Sequence, residues 1–201
     1  MLALATTRAL SLGLDSIMLF RETDAEKLDL PQSIARFDAI LSRWGLMLLP
    51  NLHTALFGIR HMLVTNGRIS ADVWSVSSKL PGLDLAFSAV RKQIDAPAPS
   101  LQCLGPFALA DAEALKQSFS QAGFKEIKIE ILQITFGFDS PESYTNIHQQ
   151  VTAPIRAVLA NHPEEVKNRA WNSITEGVWQ YDDSHGRVNL DNKVFCIVGK
   201  N

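Results

Sequence analysis

The stretch that most constrains the fold is FDAILSRWGLMLLP, residues 37–50. Its apolar run, Ala39 to Leu41, is typical of a parallel strand that is covered on both faces. The polar pair Ser42-Arg43 ends the run, and Trp44-Gly45 then predicts a turn into a loop. In open α/β sheets, ligands bind outside the carboxyl ends of the strands. Residues 42–46 are therefore predicted to form the floor or wall of a site.

The length, charge and cysteines of the chain indicate how many domains, what partners and what compartment to expect. At 201 residues it is long enough for one domain with a substantial core. Its net charge of −2 gives no reason to expect nucleic acid or a membrane as a partner. No apolar run approaches the roughly 20 residues that span a bilayer. Cys103 and Cys196 fit no metal-ligand spacing, and they favour buried thiols in a reducing, cytoplasmic compartment.

Local signals predict alternating helices and strands in the first half of the chain. The predicted elements are a helix over residues 1–12 that Gly13 stops, a short strand at Ile17–Phe20, a helix from Asn51 that Asn66-Gly67 closes, a strand over ISADVWSVS (69–77) and a helix from Leu83 to Ile94. DAPAPS, residues 95–100, is predicted to be a stiff, exposed connector. His53 and His61 lie eight residues apart on the second helix, a spacing that does not suit joint metal binding.

In the second half of the chain, strong local signals predict where helices begin and end. Asp111 is a good N-cap, Gly123 is a good residue to follow a helix, and Ser140-Pro141 is typical of a helix start. The predicted elements are a helix from Asp111 to Gly123, an edge strand over Lys125–Ile134, helices from Ser140 to about Tyr181 with breaks near Pro154 and at Asn161–Pro163, and a final strand at Val194–Val198.

Three segments carry a resemblance to a known family. FDAILSRWGLMLLPNLHTAL begins with Phe-Asp and ends its strand in a Ser-Arg-aromatic-Gly loop. RETDAEKLDLP, residues 21–31, follows the pattern G-D-A-E-x-L-x-x-P with Thr23 in place of the glycine. GPFALADAEALKQSFSQAGF, residues 105–124, has a G-P-F-x-L-x-D start and an A-G-F end. In this order, the segments resemble class I S-adenosylmethionine-dependent methyltransferases of the ubiquinone/menaquinone-biosynthesis type.

The resemblance implies roles for five residues. Asp24 would accept a hydrogen bond from the adenine amino group of S-adenosylmethionine, and the backbone at Ala25 would contact the ring. Ser42, Arg43 and Trp44 would line the side on which the methyl group is transferred. For Asp24 the alternative is a local role in capping or solvating a loop, as is usual for loop carboxylates. Trp74 is predicted either to pack in the core or to form part of the acceptor-pocket wall.

The resemblance covers only the later part of the family domain. It implies an α/β, Rossmann-like methyltransferase sheet that is truncated at its N-terminus and lacks the first two strands, with a helical insertion before the last strand. We expect a single domain over 1–201 in which residues 140–190 form a helical cover. The sequence contains no G-x-G-x-x-G turn, so we expect weak or absent cofactor binding. The missing strands should leave an edge beside Ala39–Leu41, where either Ile17–Phe20 pairs or two chains form a homodimer.

Three hypotheses for the function follow from these features. The first is methyl transfer from S-adenosylmethionine to a small-molecule acceptor, which relies on alignment and needs no catalytic dyad. The second is a non-catalytic methyltransferase-like module that serves binding or dimerisation and does not bind the cofactor. The third is a fragment of a longer enzyme. The sequence does not indicate which acceptor is methylated.

Overall fold

The computed structural model describes residues 1–28, 36–97 and 105–201. The centre of this structure is a four-stranded sheet. The strands are β1 (Phe37–Arg43), β2 (Leu63–Trp74), β3 (Lys125–Phe138) and β4 (Val188–Lys200), and their order across the sheet is β1-β2-β4-β3. β1 runs parallel to β2, whereas β4 is antiparallel to both of its neighbours. The final strand in the sequence therefore lies inside the sheet.

Helices connect the strands. They are α1 (Leu2–Ser11), α2 (Leu52–Met62), α3 (Pro81–Gln93), α4 (Ala112–Gln121), α5 (Pro141–Val151), α6 (Ala153–Leu159) and α7 (Glu164–Val178). Short 3₁₀ turns occupy Leu46–Leu48, Ser77–Lys79 and Trp179–Tyr181. The breaks between α5, α6 and α7 lie where the prolines predict them.

Side-chain caps explain where several helices begin. The Asp111 carboxylate accepts hydrogen bonds from the backbone N–H groups of Glu113 and Ala114, each at 3.0 Å. The Ser140 hydroxyl accepts one from the N–H of Ser143. Each cap satisfies an N–H group that has no partner within its helix. Both predicted helix starts are confirmed.

The core has two main parts. On one side, α2 and α4 pack against β2 and β4, and this part is centred on Leu56, Ile69, Phe119 and Ile197, all fully buried. In the second part, α3, α5, α6 and α7 surround Tyr144, Ile174 and Leu190. This burial is the main source of stability for the sheet and its helices.

The prediction of a strand at Ile17–Phe20 is wrong. The segment forms a turn and then an irregular stretch, and the side chain of Ile17 is 79% exposed. Among the described residues it pairs neither with β1 nor with another strand. A short apolar run becomes a strand only where a neighbour offers backbone hydrogen bonds.

β1 is also not covered on both faces as predicted. Leu41 is 81% exposed, and Ala39 is exposed as well. Ile40 is half-buried against the core beneath α2 and α4. Among the described residues β1 has β2 as its one strand neighbour, so its other edge is unpaired.

The second predicted helix ends earlier than expected. α2 ends at Met62, and Asn66-Gly67 lies within β2 instead of closing the helix. Asn66 has φ +66°, and the β1–β2 register shifts beside it, between Phe37 and Ala39. Asn tolerates this left-handed conformation, which occurs both at helix ends and at β-bulges. Asn66 lies at a bulge, where the sequence predicted a helix end.

Of the two cysteines that the sequence predicts to be buried thiols, the structure describes Cys196. Cys196 on β4 is half-buried, with its Sγ 3.7 Å from the Ser70 hydroxyl. Cys103 and the last part of the DAPAPS connector lie outside the described residues.

Candidate functional site

The carboxyl ends of β1 and β2 lie side by side. Arg43 is opposite Asp72 in the parallel register, and the backbone N–H of Trp44 donates to the Asp72 carbonyl oxygen at 2.9 Å. The turn that follows β1 therefore begins at the sheet edge where ligands of α/β proteins bind. This is the position that the sequence predicts for residues 42–46.

Trp44 occupies an unusual backbone conformation in this turn. Its φ of +55° is in the left-handed region, which a bulky residue seldom adopts. The indole ring stacks on that of Trp74, with ring centroids 4.3 Å apart and an angle of 14° between the planes. Trp74 also makes an edge contact with Phe136 and lies in a buried cluster with Met47 and other apolar residues. The stack offsets the backbone strain, and Trp74 adopts the core-packing role.

Two polar groups lie at Trp44, of which one is exposed and one is buried. The Arg43 guanidinium carbon lies 4.9 Å from the centroid of the Trp44 ring, and such a cation–π contact contributes about 0.5–1 kcal/mol at an exposed site. The indole Nε1 of Trp44 is buried and has no hydrogen-bond partner among the residues that the structure describes. Because an indole N–H can only donate, its missing partner must be an acceptor.

Ser42 supports the turn from the strand side. A Cβ placed on Gly45 would lie 3.1 Å from the Ser42 hydroxyl oxygen. The absence of a side chain at Gly45 thus allows the turn to approach Ser42 closely. Ser42 and Trp44 are both half-buried, whereas Arg43 is exposed.

Asp24 and Ala25 lie in a separate turn that is attached to α2. The backbone N–H of Asn51, which caps α2, donates to the Glu26 carboxylate at 2.7 Å. Leu28 also lies against α2 at Gly58. α2 follows the β1 turn directly. The two groups of predicted site residues, Asp24-Ala25 and Ser42–Trp44, therefore flank the connection between β1 and α2.

The Asp24 carboxylate makes local contacts. Its Oδ1 accepts a hydrogen bond of 2.9 Å from the Glu26 backbone N–H, and its Oδ2 lies 3.7 Å from the Lys27 ammonium. The structure thus includes the loop-capping role that the sequence left as an alternative. A carboxylate has about four acceptor positions, so these contacts leave Asp24 able to accept a further hydrogen bond. Its adenine-binding role stays a prediction.

Sequence reasoning missed a buried polar network between α3 and α5. The Gly82 N–H donates to the Asn192 side chain at 2.8 Å, and the Gly82 carbonyl accepts from the Tyr144 hydroxyl and from His148 Nε2. The other imidazole nitrogen of His148 accepts from the Thr152 hydroxyl. Burial lowers the pKa of His148 and raises the pKa of Tyr144. Nothing in the sequence links residues so far apart, and the buried network positions the helices rather than a reactive group.

Two further classes of site find no support in the described residues. No group of three or more His, Cys, Asp or Glu side chains there could hold a metal ion. No helix in that part of the chain has the length and apolar content needed to cross a membrane.

No protein-family model matches the chain, and no curated protein matches it either. Among solved structures, it is similar to the YcgJ protein from Bacillus subtilis, at 14% identity and a TM-score of 0.55, over 100% of this chain and 78% of that one. It is also similar to the 4+2 cyclase SpnF, at 17% identity and a TM-score of 0.50, over 100% of this chain and 62% of that one. BH2331 from Bacillus halodurans, provisionally assigned as a methyltransferase, has 12% identity and a TM-score of 0.49, over 96% of this chain and 77% of that one.

At these identities the likenesses to YcgJ and SpnF establish the fold alone. The described residues agree with them, since they form a mixed α/β structure whose parallel strands lead into helices. The chain therefore shares the α/β fold of YcgJ and SpnF, and an α/β fold is what the resemblance predicted.

Proposed function

We propose that the chain transfers a methyl group from S-adenosylmethionine to a small-molecule acceptor at the carboxyl ends of β1 and β2. One observation supports this proposal above the others: within a fold of this type, the turn at Ser42–Trp44 lies at the ligand-binding edge and includes a buried indole N–H that has no partner in the described part of the chain. A buried donor without a partner costs about 1–3 kcal/mol. Binding of a ligand that carries an acceptor atom would offset that cost.

The residues fit the cofactor on both sides of the connection between β1 and α2. Asp24 has acceptor positions free for an exocyclic amino group, and the backbone of Ala25 is positioned beside it by the turn. When bound, S-adenosylmethionine supplies an electrophilic methyl group on a sulfonium centre. The described residues hold and orient the reactants, which is the main requirement of such a displacement.

Ser42, Arg43 and Trp44 would form the wall beside the reacting atoms. The Trp44 ring, held by its stack on Trp74, presents a rigid apolar surface that excludes water. Arg43 places a positive charge at the exposed rim of that surface. This arrangement favours an acceptor that is partly apolar and carries an oxygen or nitrogen atom able to bond the indole N–H.

The second candidate is a non-catalytic module that keeps this fold for binding. The observation in its favour is the absence of a G-x-G-x-x-G turn from the sequence, since that turn allows backbone amides to approach a cofactor closely. The 4+2 cyclase SpnF shares the fold, so the fold alone does not establish methyl transfer.

Calorimetric titration of the chain with S-adenosylmethionine separates the two candidates. The proposal requires micromolar binding despite the missing glycine-rich turn, and Asp24→Ala should then weaken it about tenfold, which corresponds to one lost hydrogen bond to a charged group. Asp15→Ala, an exposed carboxylate in the same N-terminal segment, should bind as the wild type does. Absence of binding by the folded chain would contradict the proposal and favour the non-catalytic module.

A second variant tests the indole donor by itself. Trp44→Phe keeps an aromatic ring on Trp74 but removes the Nε1–H group. If this group bonds a reactant, the Kd or KM for that reactant should rise by about five- to tenfold. Unchanged constants for both reactants would show that the donor has no part in the site.

A further inference from the structure

The two edges of the sheet differ in how they are protected. β3, on one edge, exposes the apolar residues Ile131 and Leu132, but most of its exposed positions carry charged or polar side chains: Lys125, Glu126, Lys128, Glu130, Gln133 and Thr135. Charges of this kind discourage pairing with another chain. β1, on the other edge, has the centre Ala39-Ile40-Leu41, and Leu41 is 81% exposed. The described structure therefore protects one edge and leaves the other able to pair.

Within the described residues, the backbone of β1 has hydrogen-bonding groups without partners along this edge. The Trp44 N–H bonds to β2, and successive residues of a strand direct their N–H and C=O groups alternately to opposite sides. Ser42 and Ile40 therefore face β2, whereas Ala39, Leu41 and Arg43 direct their backbone groups outward. These groups are the ones that an added strand would bond.

We infer that β1 of a second copy of this chain pairs antiparallel with β1 and joins the two sheets into one. A two-fold axis maps each residue onto its own copy, and residues that face each other must point to the same side of the sheet. Pairing must therefore be centred on a residue. Ile40 is the middle residue of Phe37–Arg43, so centring on Ile40 lets the full strands overlap.

The side chains agree with this register. Ile40 faces its own copy, and Ala39 faces Leu41, so the apolar centre of each strand meets that of the other. Asp38 faces Ser42, whose hydroxyl can donate to the carboxylate, and Arg43 faces the ring of Phe37. No charge faces a like charge. A seven-residue strand buries less than the ~800 Å² per partner of a standard interface, so the dimer should dissociate on dilution.

Sedimentation velocity over micromolar to submillimolar concentrations tests the association. The wild type should shift from monomer to dimer, and Leu41→Lys should remain monomeric because a charge would then lie at the paired centre. Ile131→Lys is the matched control, since Ile131 is an apolar residue 64% exposed on the other edge strand. It should dimerise as the wild type does, and circular dichroism should show that both variants are folded. A wild type that stays monomeric throughout, or a Leu41→Lys variant that still dimerises, would overturn the proposal.

Oxidative crosslinking tests the register. Residues that face each other at a non-hydrogen-bonded position have Cα atoms about 4.5 Å apart, within the range of a disulfide. Ile40→Cys should therefore form a disulfide-linked dimer. Asp38→Cys should not exceed the background of the wild-type cysteines, because its copy lies four residues further along the paired strand. Equal crosslinking of the two variants would overturn this register.

Discussion

The imidazole Nε2 of His148 donates a hydrogen bond of 3.1 Å to the carbonyl oxygen of Gly82, which joins α5 to the start of α3. Since a carbonyl can only accept, Nε2 carries a proton, and in the neutral imidazole Nδ1 accepts from the Thr152 hydroxyl. Burial disfavours the charged form, so the folded protein has a lower pKa at His148 than the ordinary value of 6.5.

The burial of His148, which lowers its pKa, predicts acid sensitivity. As pH falls from about 6.5 towards the lowered pKa of the folded state, the unfolded chain takes up a proton that the folded chain does not. The free energy of unfolding should fall in that window by up to ~1.4 kcal/mol per pH unit, and be unaffected by this group above it. Urea unfolding of His148→Gln should show a smaller dependence on pH than the wild type does. His53→Gln, at an exposed histidine, should keep the wild-type dependence.

Gly82 tolerates no side chain. A Cβ there would lie 2.8 Å from both terminal atoms of the Asn192 amide and from a ring carbon of Phe136. Gly82→Ala should lower the free energy of unfolding by about 1–3 kcal/mol through overpacking. At Gly177, near the end of α7, nothing lies within 4 Å of the added Cβ, so Gly177→Ala should raise stability by ~0.5 kcal/mol. Equal effects in denaturant unfolding would argue against the close packing at Gly82.

Trp44 is held in a strained backbone conformation by its stack. Trp44→Ala and Trp44→Gly both remove the ring, and hence the contact with Trp74. Glycine adopts φ +55° without the penalty of roughly 1 kcal/mol that alanine has there. We therefore expect Trp44→Gly to be about 1 kcal/mol more stable than Trp44→Ala in denaturant unfolding, the reverse of the usual order. A more stable alanine variant would mean that the turn relaxes to negative φ once the ring is lost.

The Glu26 carboxylate attaches the turn of Asp24 to α2 through the N–H of Asn51. Glu26→Ala should free this turn and speed amide exchange at residues 24–28, with a loss of about 1 kcal/mol in stability. Glu22→Ala, at an exposed acidic residue earlier in the segment, should change neither quantity. Hydrogen–deuterium exchange measured by mass spectrometry distinguishes the two. If exchange is equally slow in both variants, other contacts hold the turn.

Features encoded within a few residues could be predicted from the sequence. The caps at Asp111 and Ser140 and the strand with alternating isoleucines before Ile134 depend on neighbours in the chain, so the patterns and the structure agree. The position of Ser42–Trp44 at the end of a parallel strand was predicted for the same reason. Local chemistry decided these elements.

Features that depend on distant partners could not be predicted. Ile17–Phe20 has the composition of a strand but pairs with none of the described strands, and the exposure of Leu41 depends on what packs over β1. The Trp44–Trp74 stack and the bond between His148 and Gly82 join residues that are 30 and 66 positions apart. Tertiary contacts decide such features, and a single sequence does not encode them in any local pattern.

The place of β4 between β2 and β3 also affects the order in which the protein can be assembled during translation. Residues 63–74 and 125–138 leave the ribosome before residues 188–200, which supply the hydrogen-bonding partner of both. Until then β2 and β3 lack the strand that joins them, and their apolar faces are accessible to chaperones or to other nascent chains. Synthesis of the last strand should therefore be the event that commits the chain to its native sheet, and slow translation just before it would prolong exposure to aggregation.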